Sequence, residues 1–163
     1  MLRQAFLLAV KGHKYQLYGD DPYLVHLYDV VSVLVEFGFT DETFLAAAWL
    51  HDIIEDTSYN YHDVVNTTSK EVAEIVFAVT DEIGRNRKER TQKSVSKTFG
   101  FHNALVIKLA DWIANLRNCV YKNPQLLQMY QKDLPYLRQC KSVSTGLMDL
   151  EPLWEEVERL VEK

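Results

Sequence analysis

Between Thr40 and Asp56 the chain is apolar on nearly every face a helix could present. Phe44, Ala47, Ala48, Leu50, Ile53 and Ile54 are spread over it, and Thr40 or Asp41 can cap its start. A helix apolar on most sides has to lie in the middle of its domain, with other elements packed around it. This one segment therefore asks for a bundle thick enough to enclose one of its own members. The rest of the chain can supply that bundle. Gly numbers only 6 and Pro only 4, and they fall between periodic segments. Leu, Ala, Glu and Lys, all good helix formers, are frequent.

Helices are predicted over about Leu2–Leu17, Tyr23–Phe37, Asp41–Asp56, Tyr61–Val65, Lys70–Val79, Asn103–Val120, Gln125–Gln139 and Leu150–Val161. Gly19-Asp20-Asp21-Pro22 separates the first two, because Pro22 disfavours helix at Asp21. Gly38 stops the second. Trp154, Val157, Leu160 and Val161 form a stripe suited to docking the last helix. From Thr80 to Gly100 the chain is polar, and its Arg85–Arg90 cluster reads either as a solvated loop or as an electropositive rim for phosphates. No stretch alternates as a sheet does, apart from a few β-branched residues such as Val76–Val79. With no repeat and no linker, residues 1–163 read as one all-α domain.

Charge narrows the partners. Lys plus Arg is 18 and Asp plus Glu is 23, a formal net charge of −5. That balance argues against a nucleic-acid polymer as partner, since such binders neutralise phosphates. A small anionic substrate in a locally basic pocket stays open. The two cysteines, Cys119 and Cys140, exclude a disulfide scaffold and point to a reducing, cytoplasmic compartment. No apolar run approaches the roughly 18 residues of a membrane span.

The chemistry is concentrated at the end of the central helix. His51 and Asp52 follow Ala46-Ala47-Ala48-Trp49-Leu50, and Glu55 and Asp56 come one turn later. An ionised Asp in apolar surroundings is costly unless it is paired or binds a metal. Spacings of three and four place His51, Asp52, Glu55 and Asp56 on adjoining parts of one helix surface. Three carboxylates crowded there repel one another without a cation. A second apolar-flanked acid is Asp111, with Lys108 three residues before it and Asn115 four after it. Alone, that pattern could be a surface Lys–Asp pair. His26, His51, Asp52 and Asp111 together would supply two imidazoles and two carboxylates, a set that suits Mn²⁺, Fe²⁺ or Zn²⁺. Sequence by itself does not bring the three segments together.

In this order the residues resemble the HD-domain metal phosphohydrolases, and more closely the hydrolase domain of RelA/SpoT proteins and its small stand-alone form. The matching segments are His13-x-x-Gln16, Pro22-Tyr23-x-x-His26, Ala47-Ala48-Trp49-Leu50-His51-Asp52-Ile53-Ile54-Glu55-Asp56-Thr57, Val79-Thr80-Asp81, Arg87-Lys88-x-Arg90 and Lys108-Leu109-Ala110-Asp111-x-x-x-Asn115-Leu116-Arg117. The resemblance implies an HD-type helical bundle and an Mn²⁺-dependent phosphohydrolase, with Zn²⁺ or Fe²⁺ as other metals. The implied reaction removes the 3′-pyrophosphate of ppGpp and pppGpp. Another nucleotide, such as NADPH or a deoxynucleotide, is the alternative substrate, and a weakly catalytic nucleotide-sensing module is the alternative of another class.

By residue match, His26, His51, Asp52 and Asp111 are the implied metal ligands. Glu55 and Asp56 match the acids that position or activate the attacking water, Asn115 matches a nucleotide contact, and Lys108 is a candidate for the phosphates. The chain also departs from the pattern. Tyr18 stands where the family has a guanine-stacking Arg, and the turn to Pro22 is one residue shorter. Trp112 replaces the common Arg after the second acid, and Leu27 replaces Pro after the first metal His. Tyrosine can stack on a base but supplies no cation.

Overall fold

The computed structural model describes residues 1–122, 124–143 and 150–162. They form a helical bundle: α1 (Leu2–Gly12), α2 (Leu24–Glu36), α3 (Glu42–Leu50), α4 (Ile53–Asp56), α5 (Tyr61–Thr67), α6 (Lys70–Val79), α7 (Arg87–Phe99), α8 (His102–Lys122), α9 (Pro124–Val143) and α10 (Glu151–Val161). The fold class read from the sequence holds. The side chains of Arg87, Lys88 and Cys140 lie outside the described residues. No helix among the described residues is long and apolar enough to cross a membrane.

Two helices carry the core. α3 packs against α1, α2, α6 and α8, which is why Ala46, Ala47, Ala48 and Leu50 are all fully buried. Alanines on adjoining faces let several neighbours approach at once. Its start is fixed by Asp41, whose side chain accepts a hydrogen bond from the Thr43 amide at 2.8 Å. The second central member, α8, contacts α2, α3, α6, α7, α9 and α10. It buries Leu105, Ile107, Leu109, Ile113 and Leu116. α10 docks on α8 through Leu153, Trp154, Val157, Leu160 and Val161, all buried, the stripe expected for it.

Three local features differ from the sequence reading. The first helix ends at Gly12 rather than Leu17. A two-residue antiparallel hairpin follows, pairing Leu17 with Pro22 and Tyr18 with Asp21. Gly19 turns it with φ of +63°, a conformation glycine adopts without steric cost. The central helix does not run unbroken to Asp56. It stops at Leu50, and Asp52 sits at φ −100°, ψ 1° before the single turn of α4.

The third difference is α7, in the segment read only as polar and without a predicted helix. Its buried face is not an apolar stripe but Ser94, Val95 and Thr98. The Ser94 hydroxyl accepts from the Glu82 amide at 2.8 Å, and the Thr98 hydroxyl donates to the carbonyl of Ala78 at 3.0 Å. Hydroxyls that satisfy neighbouring backbone replace the hydrophobic contacts that periodicity would have revealed.

Candidate metal centre

Three segments far apart in sequence meet at one point. His26 comes from the first turns of α2, His51 from the end of α3, and Asp111 from the middle of α8. One donor atom from each lies within 4.8 Å of the others. The Nε2 atoms of His26 and His51 are 3.3 Å apart. Asp111 Oδ1 is 3.4 Å from His26 Nε2 and 3.8 Å from His51 Nε2. Asp52 stands beside this trio, its Oδ2 2.9 Å from His51 Nε2 and 3.8 Å from His26 Nε2. All four residues named from the sequence therefore converge.

The backbone is still helical at His51 and leaves helical geometry at Asp52. Neighbouring residues on a straight helix point about 100° apart and do not face a common target. With Asp52 out of helical geometry, its carboxylate and the ring of His51 reach the same place.

The donor chemistry fits a cation. His51 Nδ1 donates to the Ala48 carbonyl at 2.8 Å, so in the neutral ring Nε2 carries the lone pair and faces the carboxylates. Burial opposes a charge on this ring, but the Asp52 carboxylate beside it and that of Asp111 push its pKa up to about 9. Burial would likewise raise Asp52, yet His51, His26 and the Tyr23 hydroxyl hold it well below the usual carboxylate range. Asp111 is depressed too, against its burial, chiefly by Lys108 and the two histidines.

A surrounding set of side chains fixes these groups. Asp111 Oδ2 pairs with Lys108 Nζ at 3.2 Å, and Oδ1 accepts from Asn115 Nδ2 at 2.6 Å. Lys108, Asp111 and Asn115 share one face of α8 as their spacing implied, with Asp111 buried and Lys108 half-buried beside it. The Tyr18 hydroxyl donates to Asn115 Oδ1 at 2.7 Å, and its ring stacks on His26 with centroids 4.9 Å apart. Tyr23, which the sequence reading left without a role, donates its hydroxyl to Asp52 Oδ2. Its place three residues before His26 on the incoming turn was the available signal.

The two further acids lie at the rim. Asp56 Oδ2 accepts from Gln16 Nε2 at 2.7 Å, and Gln16 Oε1 accepts from His13 Nδ1 at 2.7 Å. His13 also stacks on Tyr23 at 4.8 Å. Glu55 Oε2 accepts from the Asp81 amide at 3.0 Å. Burial raises the Glu55 pKa, helped by the charges of Asp81 and Asp52. Both acids are thus oriented by residues of the His13-x-x-Gln16 and Val79-Thr80-Asp81 segments.

Two clefts flank the centre. One, of about 160 Å³, lies between α7, α8 and α9 and includes Asp81, Arg90, Ser94, Lys108 and Trp112. The other, of about 350 Å³, is bounded by the hairpin and α8 at Tyr18, Gly19, Asp20, Asp21, Asn118 and Cys119.

The chain resembles known proteins along most of its length. The family model described as HD domain matches residues 5–135. The Drosophila melanogaster guanosine-3′,5′-bis(diphosphate) 3′-pyrophosphohydrolase MESH1 is 36% identical over 107 residues, covering 64% of this chain and 60% of that protein. The bifunctional (p)ppGpp synthase/hydrolase SpoT of Escherichia coli is 37% identical over 124 residues, 71% of this chain and 18% of SpoT. The matched region thus spans less than two thirds of either relative's length. The solved structure of a metazoan orthologue of SpoT superposes with a TM-score of 0.80 at 24% identity, covering 99% of this chain and 93% of that one.

Proposed function

The chain belongs to the HD-domain family, and from that membership and the site's geometry we propose that it is a divalent-metal phosphohydrolase that removes the 3′-pyrophosphate of ppGpp and pppGpp. The observation that carries this reading is the meeting of His26, His51 and Asp111 within 4.8 Å, with two oriented acids at the rim. His26, His51, Asp52 and Asp111 would hold the metal; the mixed imidazole and carboxylate set suits Mn²⁺, Fe²⁺ or Zn²⁺, and manganese is the ion proposed because the family resemblance implies it. Such an ion, when bound, polarises a phosphate oxygen and brings the pKa of water towards neutrality.

The chain's own groups do the rest. Glu55 is anchored through Oε2 to the Asp81 amide, which leaves Oε1 to take the proton of an attacking water. Its raised pKa suits a base that must accept a proton near neutral pH. Asp56, held by Gln16, orients that water. The Lys108 ammonium, placed between Asp111 and the cleft containing Arg90, favours negative charge on the transferring phosphoryl group. Residues 1–163 act as one domain in this reading, on a small cytoplasmic nucleotide.

One feature favours a different nucleotide. Tyr18 brings no cation to the position where related chains carry Arg, and its hydroxyl is engaged with Asn115. NADPH or a deoxynucleotide is therefore the second reading. The test is a turnover panel with Mn²⁺ on ppGpp, pppGpp, NADPH and deoxynucleotides, following released pyrophosphate and phosphate. Release of pyrophosphate from ppGpp is expected. Cleavage of another phosphoester with none of ppGpp would overturn the substrate, and tight nucleotide binding without any turnover would make the chain a sensor.

A further inference from the structure

Resting on the metal reading above, we infer that Tyr18 is a positioning residue for the metal centre, holding His26 with its ring and Asp111 through Asn115. Three contacts lead there. The Tyr18 ring lies on the His26 imidazole at 4.9 Å with an interplanar angle of 22°. Its hydroxyl donates to Asn115 Oδ1 at 2.7 Å, and Asn115 Nδ2 donates to Asp111 Oδ1 at 2.6 Å. Asp111 Oδ1 is the atom that faces both histidines. The chain of donors runs one way, from hydroxyl to amide to carboxylate.

The direction matters. An Asn side chain can turn its amide over and present oxygen instead of nitrogen. Asn115 Oδ1 turned towards Asp111 would set acceptor against acceptor and swing the carboxylate away. The acceptor-only Asp111 carboxylate selects the present orientation, and the Tyr18 hydroxyl, donating to Oδ1, completes it and holds the Asn115 amide in place. At the other end, buried His26 has no hydrogen-bond partner for Nδ1. The usual anchor of a metal-binding imidazole, a partner on its second nitrogen, is missing. Ring packing must hold His26 instead: Tyr18 lies on it face to face, and Tyr23 meets it edge to face at 5.4 Å. A single neutral side chain thereby orients two groups on different helices without adding positive charge beside a cation.

The same ring borders the 350 Å³ cleft. Tyr18 is thus the wall between that cleft and the metal centre, so a base bound there would press on the residue that sets the ligands.

The test measures Mn²⁺ affinity on the purified full chain, from the free-ion electron paramagnetic resonance signal, with no turnover involved. Tyr18→Phe keeps the ring and removes only the hydroxyl. It is expected to weaken Mn²⁺ binding about 10-fold or more, as loss of an outer partner of a metal ligand does. The apoprotein Tm should change by less than about 4 °C. Asn115→Ala should weaken binding to a similar degree, and adding Tyr18→Phe to it should cost nothing further, because the two act in series. The exposed Tyr28→Phe on α2 serves as control. Tyr18→Phe within twofold of wild type, or full additivity with Asn115→Ala, overturns the inference. A wild-type chain that binds neither Mn²⁺, Zn²⁺ nor Fe²⁺ overturns the metal reading itself, which is a different result.

Discussion

Replacing Gly12 by alanine tests how closely α1 must approach the segment that carries the site. A Cβ at Gly12 would run into Cδ1 of Ile53, and would lie 3.3 Å from Cγ2 of Thr57 and 3.5 Å from the Tyr59 ring. Ile53 is fully buried, so its terminal methyl has to change rotamer inside a packed core, or α1 has to move outward. Overpacking of this kind costs about 1–3 kcal/mol, while alanine returns at most about 1 kcal/mol of helix propensity. A net loss of about 1–2 kcal/mol corresponds to a fall in Tm of about 2–8 °C for a chain of this size. Ile53→Val removes the colliding methyl and costs about 0.5–1.5 kcal/mol on its own. If the collision is the cause, Gly12→Ala costs almost nothing in the Ile53→Val background. Urea unfolding of the four proteins, followed by circular dichroism, measures the cycle. Additive losses, or Gly12→Ala as stable as wild type, would refute the reasoning.

Three other outcomes are expected. Glu55→Gln and Asp56→Asn should bind Mn²⁺ nearly as wild type does but lose roughly 10²-fold in kcat on the best substrate; unchanged rates in both would remove them from the water-handling role. Saturating Mn²⁺ at about 100 times its Kd should add about 2.7 kcal/mol of stability by mass action, so Tm should rise with Mn²⁺ and fall back with a chelator, and Asp111→Asn should show neither change. Glu156, bonded to Arg159 and Arg117, is held below the ordinary glutamate value of 4.5 despite its partial burial. Because the folded pKa is the lower one, its contribution is complete above that ordinary value and disappears as pH falls through the depressed one. The acid limb of a stability–pH curve below that ordinary value should therefore be shallower in Glu156→Gln; an unchanged limb would show that the Arg159 and Arg117 contacts of Glu156 add nothing.

The sequence was most legible where burial and periodicity coincide. Ala46 to Leu50 had to be central because no face of it was polar, and it is fully buried except for the half-buried Trp49. α7 escaped the same reasoning because its inner face is Ser94 and Thr98, residues that read as solvated until the backbone groups they satisfy are in place. A different signal was present. Asn86 caps α7 by accepting from the Glu89 amide at 3.0 Å, and Asn followed three residues later by Glu marks a helix start. Capping chemistry survives in a polar helix when hydrophobic periodicity does not.

The site was legible in its members but not in its geometry. Residue types named His26, His51, Asp52 and Asp111, yet spacing arguments assumed that His51 and Asp52 lay on an unbroken helix. Spacing alone did not show that they could both serve there, since consecutive helical side chains diverge. No Gly or Pro marks the break after Leu50. What sustains it is the His51 ring itself, bonded through Nδ1 to the carbonyl of Ala48, together with Asp52 leaving helical geometry at ψ 1°. The helix resumes only when the Asp56 amide returns to the Asp52 carbonyl at 2.9 Å. Two of the residues proposed to bind one cation, His51 and Asp52, thus lie where the helix is interrupted. The deformation also sets Glu55 and Asp56 on a separate turn, where Asp81 and Gln16 can orient them independently of the ligands.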